Sequence, residues 1–258
     1  MNKAHANILR NFQNIRNRIS AAGGNPDKVD IVAVTKGRSQ DEVKTLLSIP
    51  VAALAGNYPD ELIETANCIF GGLSPDIGVH KFPPVALAPE WHFIGQIQKR
   101  NIKRLSSYVS LWQSVDRVEE IEKIAEYAPK SKILLEVNGY DLAAKAYKNS
   151  DIHPASLLKK TFSDDDAPII GNIGRGGIAV DEIENFIESA LHCDLSVKGF
   201  MTIAPLGDSD LTRASFDMLG ELTEKFGMSV CSMGMSSDFE LAVKSGSNML
   251  RIGKALFA

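Results

Sequence analysis

The chain has 258 residues, of which 44% are hydrophobic, 23% charged and 7% aromatic, and this composition excludes a disordered or low-complexity chain. Lys and Arg number 28 against 32 Asp and Glu, so the net charge of -4 provides no field that would attract nucleic acid or an anionic membrane surface. We therefore expect a small-molecule or protein partner, and neither a nucleic acid nor a membrane.

The first segment of the chain predicts an amphipathic helix. In residues 1–20, Ile8, Phe12, Ile15 and Ile19 recur at helical spacing among arginines and other polar residues. The segment is too polar for a signal peptide, and it lacks the roughly 18 consecutive apolar residues that a membrane span needs. We expect a helix that packs its apolar face on the domain.

The rest of the chain alternates between short apolar runs and stretches of helical spacing. The runs that predict strands are Ile31–Thr35, Val51–Ala55, Trp91–Ile94, Val109–Val115, Ile133–Val137, Val197–Ile203, Ser229–Met233 and Met249–Ile252. The stretches that predict helices are Asp41–Leu47, Pro59–Ile69, Gln98–Leu105, Val118–Tyr127, Val180–Leu191, Thr212–Phe226 and Phe239–Ser245. Because the first apolar run does not alternate with polar residues, we expect burial on both faces and a parallel sheet.

This alternation favours an α/β fold, a single (β/α)8 TIM barrel with an extra N-terminal helix. Eight strand–helix units in roughly 250 residues are typical of that fold, and an open doubly wound sheet is the main alternative. Two connections, about 68–90 and 139–174, are longer than a barrel requires, and we interpret them as loop insertions. Neither is predicted to be a separate domain, so residues 1–258 are expected to form one domain.

The cysteines and histidines match no common disulfide or metal framework. The three cysteines are odd in number, widely separated and in no CxxC pair, and the five histidines share no metal-site spacing. This pattern favours a reducing cytoplasm and predicts no metal site. The cysteines are Cys68, Cys193 and Cys231.

In a barrel, the functional groups lie at the carboxyl ends of the strands. Lys36 follows the first predicted strand, where a partly desolvated amine could act as a nucleophile toward an aldehyde, although a solvated surface lysine is the ordinary alternative. Serines and glycines cluster in 232–237 and 251–254, after the last two strands, where barrels commonly bind phosphate. Helix capping explains such a cluster about equally well.

Several strings distributed along the whole chain carry a family resemblance. They are IVAVTK ending at Lys36, Asn57-Tyr58, WHFIGQIQ (91–98), Val137-Asn138, GFMTIAP (199–205), Arg213 with Phe216, SMGMSSD (232–238) and RIGKALF (251–257). On these the chain resembles the YggS-type pyridoxal phosphate homeostasis protein family, whose barrel is similar to the N-terminal domain of alanine racemase.

The resemblance implies that pyridoxal 5'-phosphate (PLP) is the cofactor and that Lys36 holds it as a Schiff base. It further implies that Arg251 faces the pyridine nitrogen, that Ser236 and the backbone at Gly253 and Lys254 hold the phosphate, and that Asn57 lies beside the ring. The residues expected to bind the cofactor are therefore Lys36, Asn57, Met235, Ser236, Arg251, Gly253 and Lys254.

The implied function is PLP binding in PLP homeostasis, with apo PLP enzymes as candidate recipients, and the alternative is an amino-acid racemase of the alanine racemase type. A racemase needs a second proton-transfer group, which in alanine racemase is a Tyr of a C-terminal domain that this sequence does not extend into. Only Tyr58 or Tyr140 could substitute for it. We therefore expect little or no catalytic activity and assign no catalytic residue. Since the dimer surface of alanine racemase involves the same C-terminal domain, we also expect a monomer. A barrel with a vestigial site is a third possibility.

Some positions depart from the family pattern. Gly56 stands where the family has Glu, Arg100-Asn101 stands where it has Asn-Lys, and Arg175 takes the Lys position of a Ser-Lys-x-Gly element. No role that depends on that Glu or Lys is carried over to this chain. His92, inside WHFIG, is interpreted as a hydrogen-bonded structural residue rather than an acid or base.

Overall fold

The computed structural model of the chain describes residues 3–70, 89–147, 176–205 and 209–258. Within them, parallel strands form a closed barrel in chain order, from β1 to β8. The strands are β1 (Asp30–Val34), β2 (Ala53–Gly56), β3 (Glu90–Phe93), β4 (Leu111–Val115), β5 (Lys132–Glu136), β6 (Ser196–Met201), β7 (Val230–Ser232) and β8 (Met249–Ile252). β1 pairs with both β2 and β8, which confirms the TIM barrel and excludes the open sheet.

Helices surround the barrel at the predicted places, and α6 and α10 are additional to the predicted ones. They are α1 (Lys3–Ala21), α2 (Gln40–Leu46), α3 (Pro59–Phe70), α4 (Lys99–Leu105), α5 (Val118–Tyr127), α6 (Gly139–Ala146), α7 (Ile183–His192), α8 (Ser209–Lys225), α9 (Phe239–Lys244) and α10 (Lys254–Phe257). A 3-10 turn, Val180–Glu182, precedes α7. None of the helices in the described part of the chain is long and apolar enough to cross a bilayer.

The N-terminal helix α1 belongs to the outer layer of the barrel. Ile8, Phe12, Ile15 and Ile19 are all buried, which confirms the apolar face predicted from their spacing. The helix packs against α2, α9 and α10. Its Asn11 side chain donates to the carbonyl oxygen of Leu256 at 3.1 Å, so the two ends of the described chain are joined on one side of the barrel.

The strands are buried on both faces, as their continuous apolar runs predict. One core lies inside the barrel and is formed by Val32, Ala53, Ala55, Leu111, Leu134, Met201 and Met249. The larger core lies between strands and helices; its biggest fully buried side chains include Trp91, Phe93, Trp112 and Phe200. Since successive residues of a strand point to opposite faces, the residues that share the phase of Val32 and Met249 point into the barrel.

Residues 139–146 form a helix, whereas the sequence predicts a loop insertion that begins at residue 139. Asn138 caps α6, because its side-chain oxygen accepts the N–H groups of Tyr140 and Asp141, both at 3.0 Å. Leu142 and Ala143 are buried, and the helix packs against α8. The rest of that insertion, with Arg175, and most of the one at 68–90 lie outside the described residues.

The chain returns to the end of β5 after this excursion. Ile178 forms an isolated parallel bridge with Val137. The N–H of Asn138 donates to Ile178 O at 3.0 Å, and the N–H of Ile178 donates to Glu136 O at 2.8 Å. These bonds place Gly176 and Gly177 beside the carboxyl end of β5.

Candidate functional site

The predicted amine, Lys36, lies two residues beyond the end of β1, at the carboxyl-end mouth of the barrel. The preceding residue is fixed: the N–H of Thr35 donates to Ala55 O at 2.9 Å, and its hydroxyl donates to the same oxygen at 3.2 Å. Lys36 itself is exposed, which agrees with the alternative of a solvated strand-end lysine rather than a partly desolvated amine. The reason is that Lys36 and Gly37 form a turn beyond the last paired residue, and the turn carries the side chain toward solvent.

Asn57 follows β2, the neighbouring strand, and is half-buried. Its side-chain oxygen is buried and has no hydrogen-bond partner within the described part of the chain. The backbone at Gly95, after β3, packs directly on this residue, since a Cβ added there would lie 1.9 Å from Asn57 O. A buried acceptor without a partner is costly, and it marks a position where a ligand can supply a donor.

The loops after β7 and β8 form a region that we call the donor side, residues 234–237 and 253–254. Among the described residues, the backbone N–H groups of Ser236, Ser237, Gly253 and Lys254 have no hydrogen-bond partner. The Ser236 hydroxyl joins the two loops, because it accepts the N–H of Ala255 at 3.0 Å. Unpartnered N–H groups gathered in one place are typical of anion-binding backbone.

The conformation of the first of these loops depends on Gly234 and Asp238. Gly234 has a φ of +94°, which L side chains rarely adopt, and a Cβ there would lie 2.6 Å from the Cβ of Ala242. The carboxylate of Asp238 accepts the N–H of Met235 at 2.6 Å. Met235 is half-buried. Gly234 and Asp238 therefore hold this loop at both ends.

Arg251 is a buried cation inside the barrel, on β8. Its Nη1 donates to the carbonyl and hydroxyl oxygens of Ser232, both at 2.8 Å, and its Nη2 donates to Thr202 O at 2.7 Å. Burial lowers the pKa of Arg251 to about 10, so the guanidinium stays charged at neutral pH. An arginine has five N–H donors, and the Nε–H and one N–H on Nη2 have no partner in the described residues.

Three carboxyl groups, Asp116, Glu120 and Glu136, form a second region of the mouth that we call the acid side. Burial, together with the nearby Asp116 charge, raises the pKa of Glu120 to about 7 and that of Glu136 to about 7. Asp116 accepts the N–H of Gly177 at 3.1 Å, while Glu120 accepts the N–H of Asp116 at 3.1 Å and pairs with Arg117. Asp116 and Glu120 are therefore engaged by the chain itself, and Asp116 Oδ1, which accepts no hydrogen bond among the described residues, lies 3.2 Å from Arg117 Nε.

The two tyrosines considered as proton-transfer groups have different surroundings. Tyr58 is 62% exposed and follows Asn57 at the end of β2. Tyr140 lies in the first turn of α6, and its hydroxyl is buried without a hydrogen-bond partner in the described segments. Of the two, only Tyr140 therefore has a hydroxyl shielded from water.

The residues predicted to bind a cofactor gather on adjacent strand ends. β7, β8, β1 and β2 are neighbours in the barrel, and Met235, Ser236, Arg251, Gly253, Lys254, Lys36 and Asn57 lie at or just beyond their carboxyl ends. Sequence reasoning missed Gln113, Glu136 and the role of Thr202. A signal for two of them was available, since polar residues interrupt the apolar runs: Gln113 with Ser114 in LWQSV, and Glu136 in ILLEV.

Comparison with known proteins finds relatives that align with nearly the whole chain. No family model matches it. The pyridoxal phosphate homeostasis protein of Deinococcus radiodurans is 28% identical over 245 residues, which cover 95% of this chain and 96% of that protein. The protein of the same name from Aquifex aeolicus is 30% identical over 176 residues, 65% of this chain and 66% of that protein.

Solved structures share the fold. A crystal structure of an unknown protein from Bifidobacterium adolescentis aligns with a TM-score of 0.74 and 25% identity, covering 100% of this chain and 97% of that one. PipY of Synechococcus elongatus, solved with PLP bound, aligns with a TM-score of 0.65 and 20% identity, covering 97% of this chain and 100% of that one. At this identity, the likeness to PipY concerns the fold.

Proposed function

The chain belongs to the family of pyridoxal phosphate homeostasis proteins, and from this premise we propose that it binds PLP at the barrel mouth, with the amine of Lys36 bonded to the cofactor aldehyde. The observation that carries the proposal is the gathering, on adjacent strand ends, of a primary amine, a buried guanidinium and N–H groups that have no partner among the described residues. An aldehyde requires an amine, and a phosphate dianion requires clustered donors. The residues present therefore fit the cofactor.

The donor side is the proposed phosphate site. The N–H groups of Ser236, Gly253 and Lys254 lack partners among the described residues, and so does that of Ser237, which sequence reasoning did not include. Backbone N–H groups donate to phosphate oxygens at no cost in side-chain entropy. The Ser236 hydroxyl supports this arrangement by tying the two loops together.

Arg251 and Asn57 are proposed to orient the cofactor ring. Arg251 retains N–H groups without a partner in the described residues, and one of them would face the ring nitrogen. Asn57 and Met235 would border the ring, and the unpartnered Asn57 oxygen would accept a hydrogen bond there. Bound PLP supplies an aldehyde and an aromatic ring that can take up electron density from an attached amino acid.

The charge on Arg251 favours a carrier over a catalyst. A guanidinium beside the ring nitrogen disfavours protonation of that nitrogen, and an unprotonated ring takes up electron density less readily. The alternative, racemisation of an amino acid, requires a proton-transfer group on each face of the cofactor. Tyr140 is the observation in its favour, because its hydroxyl is buried and has no partner among the described residues.

The domain organisation, oligomeric state, localisation and partners of the protein are also proposals. We propose that residues 1–258 act as one barrel domain, as a monomer in the cytoplasm, and that apo PLP enzymes receive the cofactor. The cytoplasmic placement is supported by the free thiols of Cys68, Cys193 and Cys231. Light scattering on the purified protein tests the monomer, and a dimer at micromolar concentration would contradict it.

The spectrum of the protein tests PLP binding. Incubation with PLP should give a visible absorption band and, after borohydride reduction, a covalent adduct on Lys36 found by peptide mass spectrometry. Lys36→Ala should lose both, because no other amine is proposed to reach the aldehyde. Lys44→Ala, which removes an exposed lysine on α2, is the matched control and should keep both. A wild-type protein that forms no adduct would overturn the proposal.

A second measurement separates the carrier from the racemase. The holo-protein is incubated with D- or L-alanine in heavy water, and exchange of the α-proton is followed by NMR. We expect no exchange above that of free PLP. Faster exchange that Tyr140→Phe abolishes would favour the racemase.

A further inference from the structure

A chain of buried polar side chains crosses the interior of the barrel and ends at Arg251. Arg251 Nη1 donates to the Ser232 hydroxyl at 2.8 Å, and that hydroxyl donates to Gln113 Oε1 at 2.7 Å. Gln113 Nε2 lies 2.8 Å from Nδ1 of His92. These four side chains belong to β8, β7, β4 and β3, and all are buried. The chain of hydrogen bonds therefore links strands on different sides of the barrel.

The direction of every bond in this chain follows from the guanidinium. Arginine has only donors, so the Ser232 hydroxyl must accept from it and has its single proton left for Gln113. Gln113 accepts that proton with Oε1 and so turns its NH2 group toward His92. The same NH2 lies 3.4 Å from the sulfur of Met249, which is an acceptor and supports this orientation of the amide. Nδ1 of His92 must then be the acceptor.

His92, at the far end of this hydrogen-bonded chain, has surroundings that agree with the donor-to-acceptor direction set by Arg251. With Nδ1 as acceptor, a neutral His92 carries its proton on Nε2. Nε2 lies 3.7 Å from Oε2 of Glu90, a carboxylate that begins β3 at the opposite end of the barrel. The neighbouring His92 ring lowers the pKa of Glu90, as expected for a ring N–H that faces the carboxylate.

We propose that Gln113 and Ser232 are positioning residues for Arg251: they fix its guanidinium below the barrel mouth, and the tautomer of His92 reports on that arrangement. The inference rests on the proposed function, since Arg251 is the residue proposed to face the cofactor ring. Along the path from Arg251 Nη1 to His92 Nδ1 each donor faces an acceptor, so the amide and hydroxyl protons have one arrangement, whereas a path with an unmatched group has several. The matched chain therefore orients Arg251 before a ligand arrives.

The tautomer of His92 tests the chain without any cofactor. In protein labelled with 15N histidine, long-range 1H–15N spectra distinguish a proton on Nε2 from one on Nδ1, and His92→Asn assigns the signal. We expect Nε2–H in the wild type. Gln113→Glu places an acceptor opposite Nδ1, so Nδ1 should become protonated. Arg251→Met removes the obligatory donor, so the preference for Nε2–H should weaken, although three hydrogen bonds separate the two residues.

The role of the chain at the site is tested by PLP affinity. Ser232→Ala and Gln113→Leu should raise the Kd for PLP about fivefold or more, since each leaves a buried partner unmatched. Ser215→Ala is the control, because it removes an equally buried hydroxyl, one that donates to Thr212 O at 3.0 Å within α8. Its Kd should stay within about twofold of the wild type, and circular dichroism verifies that each variant is folded.

The outcomes separate the inference from the function on which it rests. The hydrogen-bonded chain is overturned if the wild type carries Nδ1–H on His92. It is also overturned if the wild type, Gln113→Glu and Arg251→Met share one tautomer pattern. Wild-type binding that Ser232→Ala and Gln113→Leu leave unchanged overturns the positioning role and keeps the proposed function. A wild type that binds no PLP removes the proposed function and the positioning role together, while the tautomer experiment still decides whether the chain exists.

Discussion

The donor side and the acid side of the barrel mouth use their polar groups in opposite ways. On the donor side, backbone N–H groups lack partners among the described residues, and Ser236 joins the two loops that carry them. On the acid side, Asp116 and Glu120 accept backbone N–H groups and Glu120 pairs with Arg117. The donor side is organised for a ligand outside the chain, and the acid side for the chain itself. Substitutions on the first should change binding, and those on the second should change stability.

The largest effect is expected from Gly234→Ala on the donor side. The substitution places a side chain at a φ of +94° and a Cβ 2.6 Å from that of Ala242. We expect a loss of about 2–4 kcal/mol in the free energy of unfolding and a Kd for PLP at least about tenfold higher, because the loop carrying the N–H groups must shift. Chemical denaturation and absorbance titration measure the two effects.

Gly227→Ala is the matched control for this substitution. Gly227 also has a positive φ, +61°, but a Cβ there would have no neighbour within 4 Å, and the residue lies in the turn after α8. It should lose about 1 kcal/mol of stability through backbone strain and keep its PLP affinity. Equal affinities in the two variants would break the assignment of the donor side to the ligand.

On the acid side, Glu136→Gln should change the pH dependence of stability. Burial raises the pKa of Glu136 from 4.5 to about 7, so between these values the folded state binds a proton that the unfolded state releases. The stability of the wild type therefore falls as pH rises through this window. The Gln variant lacks the part of that fall that Glu136 contributes and keeps the part from Glu120, whose pKa is also raised to about 7. We expect the variant to be more stable by up to about 3 kcal/mol at pH 8, with no difference near pH 4.

Urea denaturation across this pH range gives the measurement. Glu122→Gln, an exposed position on α5, should run parallel to the wild type at every pH. The Kd of Glu136→Gln for PLP at pH 8 should change by less than about threefold, which would sharpen the division between the two sides. Parallel pH profiles of the wild type and Glu136→Gln would contradict the raised pKa.

The smallest change in stability is expected from Asn57→Ala. The Asn57 side-chain oxygen is buried without a partner among the described residues, so its removal relieves a desolvation cost while packing is lost. The two effects oppose each other, and the free energy of unfolding of the cofactor-free protein should change by less than about 0.5 kcal/mol. The Kd for PLP should nevertheless rise about threefold, because a ligand contact is lost. Thermal unfolding with and without PLP measures both, and a loss of stability above about 1 kcal/mol without PLP would show that Asn57 has a structural role.

The sequence predicted the barrel well because its signal is repeated in every unit. Continuous apolar runs such as Ile31–Val34 reflect burial on both faces, and each run is followed by a helical period. The helix α6 was missed because it is short and begins with Gly139, and its stability comes from the Asn138 cap and from packing against α8. Both contributions involve residues outside the helix.

The site was predicted less completely than the fold. Lys36 and Arg251 were found because their chemistry is recognisable and because a family resemblance supported them. Gln113 and Glu136 were missed because each lies in a mostly apolar run, and its importance depends on facing Ser232 or Asp116 across the barrel. Contacts between side chains of different strands depend on barrel closure and strand register, which no local sequence pattern specifies.

The bridge between Val137 and Ile178 means that the chain leaves the barrel and re-enters it at nearly the same point. Whatever its length, the segment between them has its two ends held together by the end of β5. The entropy of closing a loop grows only with the logarithm of its length, so insertions or deletions after α6, which itself packs on α8, cost the barrel little. This position is therefore where related chains can vary in size, and where a reporter domain can be inserted, without changing the register of the strands.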